Sequence, residues 1–137
     1  RARVESFLTG KRWHPDYTTV LLPDDAASLR AQLQAARAAG ADVVFTTGGT
    51  GLGPRDITPD VVVAMCDKFI PGIMEHVRAR FGAAKPTARL SRSVAGLMGQ
   101  TQVYTLPGSV RAVEEYLDEI LPTLEHAVAM IHGLDMH

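Results

Sequence analysis

Two hydrophobic periods run through this chain. Val4, Phe7 and Leu8 fall at helical spacing, which predicts the tail of a helix over 1–10 with Gly10 as its C-cap; Trp13, His14 and Pro15 read as a turn. Residues 17–22 are β-branched and apolar and predict a strand that Pro23-Asp24-Asp25 ends. Leu29, Leu33 and Ala36 mark one face of a helix to about Ala39, with Asp24 or Asp25 as N-cap and Gly40 as its stop. Residues 42–46, around Val43-Val44-Phe45, form the next strand. Beyond a glycine-rich stretch, Thr58 is expected to cap a helix with Pro59 at its first position, running until Pro71-Gly72 breaks it. A second helix over 73–81 and a loop over 82–86 follow. Residues 89–99 fit a short helix or a strand; we expect an extended segment pairing with the strand 101–106. Pro107-Gly108-Ser109 opens a helix whose apolar face is Val113, Tyr116, Leu117, Ile120 and Leu121, and Pro122 is expected to start a last helix ending at Gly133. Strands alternating with helices of crossover length predict an α/β fold, a three-layer sandwich with a mostly parallel sheet.

Composition narrows the function classes. The chain has 137 residues, the size of one domain, and 46% of them are hydrophobic, enough for a core. Its 14 basic and 15 acidic residues leave a net charge of −1, which gives no electrostatic support to a nucleic-acid or membrane partner. No apolar run reaches the length of a membrane span. The single Cys66 excludes an internal disulfide and a cysteine metal cluster, and a reduced, cytoplasmic setting is expected. Cys66 itself is read as packing in the body of a helix. None of the five histidines pairs with a Cys or another His at ligand spacing, so surface or packing roles are expected for them. No G-x-S-x-G elbow is present.

The candidate chemistry lies in the stretch Thr46-Thr47-Gly48-Gly49-Thr50-Gly51-Leu52-Gly53-Pro54-Arg55-Asp56-Ile57-Thr58-Pro59-Asp60, between a predicted strand and a predicted helix. A strand, a glycine-rich turn and a helix make an anion site in many α/β proteins. Glycines allow positive φ and a close approach to the main chain, and successive N–H groups can converge on phosphate oxygens. Thr hydroxyls and the Arg55 fork add donors. A P-loop is excluded because no lysine closes the turn, and the dinucleotide fingerprint fails on glycine spacing. Asp56 has two readings: contact with a Mg²⁺-nucleotide or a polar ligand group, or tying the turn through backbone N–H groups. The aspartate of Asp24 and Asp25 not needed as a cap would sit at the carboxyl end of the preceding strand, where open α/β sheets place ligands. The turn at Pro107-Gly108-Ser109 is a second strand-to-helix junction suited to an anion.

Thr-Thr-Gly-Gly-Thr-Gly followed by Arg-Asp-Ile-Thr-Pro-Asp resembles the signature of the MogA/MoaB family of molybdenum cofactor biosynthesis, related to the G domains of plant Cnx1 and of gephyrin. The likeness continues through Leu90-Ser91-Arg92-Ser93-Val94-Ala95-Gly96, Thr105-Leu106-Pro107-Gly108-Ser109 and Ile120-Leu121-Pro122-Thr123-Leu124-Glu125-His126-Ala127. It implies one domain of the molybdopterin-binding fold over 1–137, with a further strand and a Ser-Asp loop expected ahead of Arg1.

The resemblance also implies an activity, the Mg²⁺- and ATP-dependent adenylylation of molybdopterin. It makes Asp24 and Asp56 the expected catalytic acids, with Asp56 at the metal. Thr47, Gly48, Gly49, Thr50 and Gly51 are expected on the nucleotide side, and Ser91, Arg92, Pro107, Gly108 and Ser109 at the pterin and its phosphate. A homotrimer or hexamer and a molybdenum-insertion partner protein are implied as well. Two alternatives stay open: a pterin-binding or scaffold module without catalysis, and the related domain of CinA-type proteins.

Overall fold

The computed structural model describes residues 16–134, so the helix tail over 1–10 and the turn at 13–15 lie outside the described residues. Four helices and four strands follow in order: α1 (Ala26–Ala38), β1 (Val43–Thr47), α2 (Thr58–Met65), β2 (Lys68–Phe69), α3 (Pro71–Ala84), β3 (Ala95–Met98), β4 (Thr101–Leu106) and α4 (Val110–Ile131), with a 3₁₀ segment over Pro86–Leu90. The strands form one sheet in the order β1-β4-β3-β2.

β4 is the centre, with all six residues buried. Its alternating side chains feed two cores. Tyr104 and Leu106 pack with Met74 and Val77 of α3 and with Leu117, Ile120, Leu121 and Leu124 of α4. Val103 turns to the opposite face and packs with Leu33 of α1, Val61 and Val62 of α2, and Met98. Helices thus cover both faces, which is the expected three-layer α/β arrangement. The Phe45 and Tyr104 rings stack across the β1–β4 pair, with centroids 5.6 Å apart.

The sheet is mixed. β1 and β4 run parallel, with Val44 opposite Val103, whereas β3 pairs antiparallel with both β4 and β2. The cause is local: only Gly99 and Gln100 lie between the paired Met98 and Thr101, and Gly99 takes φ 61, as a two-residue hairpin requires. The extended segment expected before β4 is this hairpin arm, while its first part is the 3₁₀ segment.

Other boundaries differ from expectation. Residues 17–22 form no strand: no described strand pairs with them, and Leu21 is 99% exposed. Apolar alternation without a partner row of N–H and C=O groups does not hold an extended segment. α2 begins at Thr58 with Ile57 as its cap, without a capping side chain, and ends at Met65, short of Pro71. Cys66 is therefore the extended, half-buried C-cap of α2 rather than the body of a helix. The residues after it are drawn to the sheet, where Asp67 N–H and Ile70 N–H donate to the carbonyls of Leu97 and Ala95 at 2.8 Å each. Pro71 starts α3, because a residue preceding proline is pushed out of the helical region and Ile70 sits at φ −118, ψ 74. α4 is a single helix with Pro122 inside it.

Candidate functional site

β1 and β4 are parallel neighbours, so their carboxyl ends open on the same side. There the glycine loop 48–57 meets the turn at Pro107-Gly108-Ser109. Gly48 N–H donates to Leu106 O at 2.8 Å, prolonging the ladder by one bond. This corrects one expectation: the Gly48 amide is held inside the protein and is not a ligand donor. A Cβ on Gly108 would stand 3.5 Å from Gly48 Cα, so the two turns touch main chain to main chain. Gly48 and Gly49 both adopt positive φ, 88 and 71. A Cβ on Gly49 would lie 2.4 Å from Thr58 Oγ1, so the loop closes directly against the first residue of α2.

Protein donors hold three consecutive carbonyls of the loop. Gly49 O accepts from Thr58 N–H at 3.2 Å, and Thr50 O from Arg92 N–H at 2.8 Å. Gly51 O accepts from Arg92 Nε at 2.9 Å. The N–H groups of Gly49, Thr50, Gly51 and Leu52 meet no acceptor among the described residues. Such a row of amides with anchored carbonyls suits an anionic ligand.

Asp56 lies under this row, half-buried. Its Oδ2 accepts from Gly53 N–H at 2.8 Å, which is the turn-tying role. A Cβ on Gly51 or Gly53 would come within 2.9 Å of the same oxygen, so glycine at both positions makes room for the carboxylate. The other carboxylate oxygen meets no donor among the described residues. Arg55 is exposed at the loop's tip.

Arg92 projects into the loop. Besides Gly51 O, its guanidinium donates to Asp56 O at 2.5 Å and grips Asp60 through Nη1 and Nη2 at 3.0 Å each. Asp60 stands in the first turn of α2, where a negative charge is favoured, and the Arg92 fork beside it holds its carboxyl below the usual carboxylate range.

Of the remaining expected site residues, Thr47 is exposed at the end of β1. Ser91 Oγ lies 3.0 Å from the buried Ser93 Oγ. Ser91, Pro107 and Ser109 line a groove of about 690 Å³ with Phe81 and Tyr116 at its apolar side and Lys85 among its polar groups. Ser109 Oγ also caps α4 by accepting from Ala112 N–H at 3.2 Å. Asp25 is the N-cap of α1 and accepts from Ser28 N–H, which lowers its pKa. Asp24 is exposed, and no contact brings it to the loop; the strand expected to carry it is not formed. Two residues with a part in the site were not anticipated. Asp60 holds Arg92, and Arg78 donates to Ser93 O at 2.9 Å, steadying the segment that carries Ser91. Both act across long sequence separations that leave no local signal. Among the described residues no group of three His, Cys, Asp or Glu could hold a metal, and no helix is long and apolar enough to cross a membrane.

Residues 5–126 match the family described as "Probable molybdopterin binding domain". The chain is 37% identical over 114 residues to a molybdenum cofactor biosynthesis bifunctional protein of Chlorobaculum tepidum, covering 82% of this chain and 36% of that protein. It is 33% identical over 133 residues to the molybdopterin adenylyltransferase of Escherichia coli, covering 96% of this chain and 67% of that protein. It therefore spans about a third of the first relative and two thirds of the second. Among solved structures, the molybdopterin biosynthesis enzyme MoaB of Thermus thermophilus superposes with a TM-score of 0.85 at 34% identity, over 99% of this chain and 86% of that one.

Proposed function

The chain belongs to the MogA/MoaB family of molybdopterin-binding domains, and from that premise we propose that it transfers an adenylyl group from Mg-ATP to molybdopterin in molybdenum cofactor biosynthesis. The observation that supports this reading is the loop whose carbonyls at Gly49, Thr50 and Gly51 are held by the protein while the neighbouring amides meet no acceptor among the described residues. Fixed donors of this kind stabilise charge on a phosphoryl group without reorganising during the reaction.

In the proposed reaction, an oxygen of the pterin's terminal phosphate attacks the α-phosphorus of ATP. A new P–O–P anhydride forms, the α–β bond breaks, and pyrophosphate leaves. Both reactants are anions, so the protein's part is positioning and charge balance. The Thr50, Gly51 and Leu52 amides face the nucleotide phosphates. The Pro107-Gly108-Ser109 turn and Ser91, on the groove side, orient the pterin phosphate and ring. Mg²⁺ enters as part of the nucleotide substrate and neutralises the triphosphate. One carboxylate with an oxygen that no described residue engages, as at Asp56, fits an ion that keeps phosphate and water ligands and needs no all-protein cage.

The test is direct. Calorimetry should give a Mg-ATP binding signal, and mixing ATP, Mg²⁺ and molybdopterin with the full-length protein should yield adenylylated pterin and pyrophosphate. A protein that binds the pterin but gives neither signal is instead the non-catalytic binding module. One observation favours that second reading: Asp56 Oδ2 is already engaged with Gly53 N–H.

A further inference from the structure

Arg92 lies 32 positions from Asp60 and 41 from Gly51 in sequence, yet it contacts the glycine loop at three points. Its main-chain N–H holds Thr50 O, its Nε holds Gly51 O, and its Nη2 holds Asp56 O. A trans peptide directs its C=O and its N–H to opposite sides, and the described chain contains no cis bond. A carbonyl turned towards Arg92 therefore turns the next residue's amide away from it. The Thr50 carbonyl sets the Gly51 amide in this way, and the Gly51 carbonyl sets that of Leu52.

We infer that Arg92 is a positioning residue, clamped by Asp60, that keeps the glycine loop in the one arrangement presenting the Gly51 and Leu52 amides to the nucleotide. The inference rests on the nucleotide-binding reading above and deepens it. A loop with glycine at 48, 49, 51 and 53 loses much backbone freedom on ordering, so it requires such a clamp to stay pre-organised. Direct contact with the pterin is a poorer account of Arg92. Guanidinium has five N–H donors, and four are taken, one by Gly51 O, one by Asp56 O and two by Asp60. Lysine cannot replace it, because a point charge cannot meet acceptors in three directions with a planar fork's geometry.

Arg92→Ala, Arg92→Lys and Asp60→Asn in the full-length protein test the assignment by two readouts. In the ligand-free protein, the NMR amide resonances of Thr50, Gly51 and Leu52 should shift or broaden in Arg92→Ala, while those of Gly108 and Ser109 stay in place. The KM for Mg-ATP should rise about tenfold or more, with a Kd for molybdopterin within about twofold of the parent. Arg92→Lys should recover only part of the loss, and Asp60→Asn should give the same pattern more weakly. Should Arg92→Ala not fold, the other two variants carry the test. Unmoved loop amides in every folded variant would overturn the assignment. So would a weakened pterin Kd with an unchanged KM for Mg-ATP, or a lowered Tm with both constants intact. If the parent itself binds no Mg-ATP, the nucleotide reading fails separately, and the loop amides alone decide whether Arg92 is the clamp.

Discussion

Asp56 serves the turn with one carboxylate oxygen, and the other meets no donor among the described residues. Asn at this position keeps an acceptor for Gly53 N–H and removes the charge, so Asp56→Asn separates the two roles. Adenylylation should fall by roughly 100-fold or more while molybdopterin affinity and Tm stay near the parent; parent-level turnover would leave Asp56 a turn residue only. Gly49 tests the loop's shape. Alanine there would adopt φ 71 and place its Cβ 2.4 Å from Thr58 Oγ1, so Gly49→Ala should cost about 2 kcal/mol or more in urea unfolding and weaken Mg-ATP binding with it. The string from Thr46 to Asp60 was readable because strand, turn and helix start follow each other in sequence. Which amides face outward was not. Gly48 looked as good a donor as Gly51, and only the neighbouring Leu106 carbonyl decides otherwise. Arg92 stands out through the family resemblance, but its partners are brought to it by the fold alone.

At the scale of elements, α4 shows how a strong local signal is overridden. Pro122 lacks the N–H that would bond the carbonyl of residue 118, and a proline normally ends or kinks a helix. Here the apolar stripe Leu117, Ile120, Leu121 and Leu124 runs through it in phase, all four buried against the sheet, and that continuity was the clue to one helix rather than two. Pro122 itself is exposed, and Thr123 Oγ1 donates to Ile120 O at 2.7 Å in the broken turn. Because packing holds the helix in spite of the proline, Pro122→Ala should stabilise the protein. The gain in helix propensity, about 3 kcal/mol, is offset by up to about 1 kcal/mol of added unfolded-state entropy and by relaxation already present around the proline. A net gain of about 1–2 kcal/mol, read as a Tm higher by several degrees, is expected; an unchanged or lower Tm would show that the proline sets the path of α4 over β4. The reverse holds at α2, where helical periodicity in the sequence runs on past the end of the helix at Met65. Two residues, Lys68 and Phe69, left it to pair with β3, a choice made by a strand arriving from later in the chain.

The described residues build two cores on either side of β4, and the layering is legible because helical and strand periods alternate along the chain. The mixed direction of the sheet was hidden in the brevity of the Gly99-Gln100 turn. The buried Tyr104 sits within the sheet: its ring stacks on Phe45 of β1, and its hydroxyl donates to Gln102 Oε1 of its own strand at 2.5 Å. Burial pushes its pKa from 10.0 up to about 12, and this has a consequence for global stability. Below pH 10 the phenol is protonated in both folded and unfolded chains and contributes no pH dependence. Between pH 10 and 12 the unfolded chain gives up the proton and the folded one keeps it, so unfolding releases a proton and stability falls as pH rises, by about 1.4 kcal/mol per unit. Above the folded value the loss levels off, near roughly 3 kcal/mol, a large part of the 5–15 kcal/mol of a typical domain. The thiol of Cys66, raised by burial from 9.0, acts with the same sign from a lower pH, so the comparison belongs in a Cys66→Ala background. Urea unfolding there, between pH 9 and 12, should show the steep alkaline decline. Tyr104→Phe should flatten that decline while lowering stability at pH 7 by about 1 kcal/mol through the orphaned Gln102 carbonyl. An equally steep slope in the phenylalanine variant would mean that lysine or surface charge, rather than the stacked centre of the sheet, sets the alkaline limit of this fold.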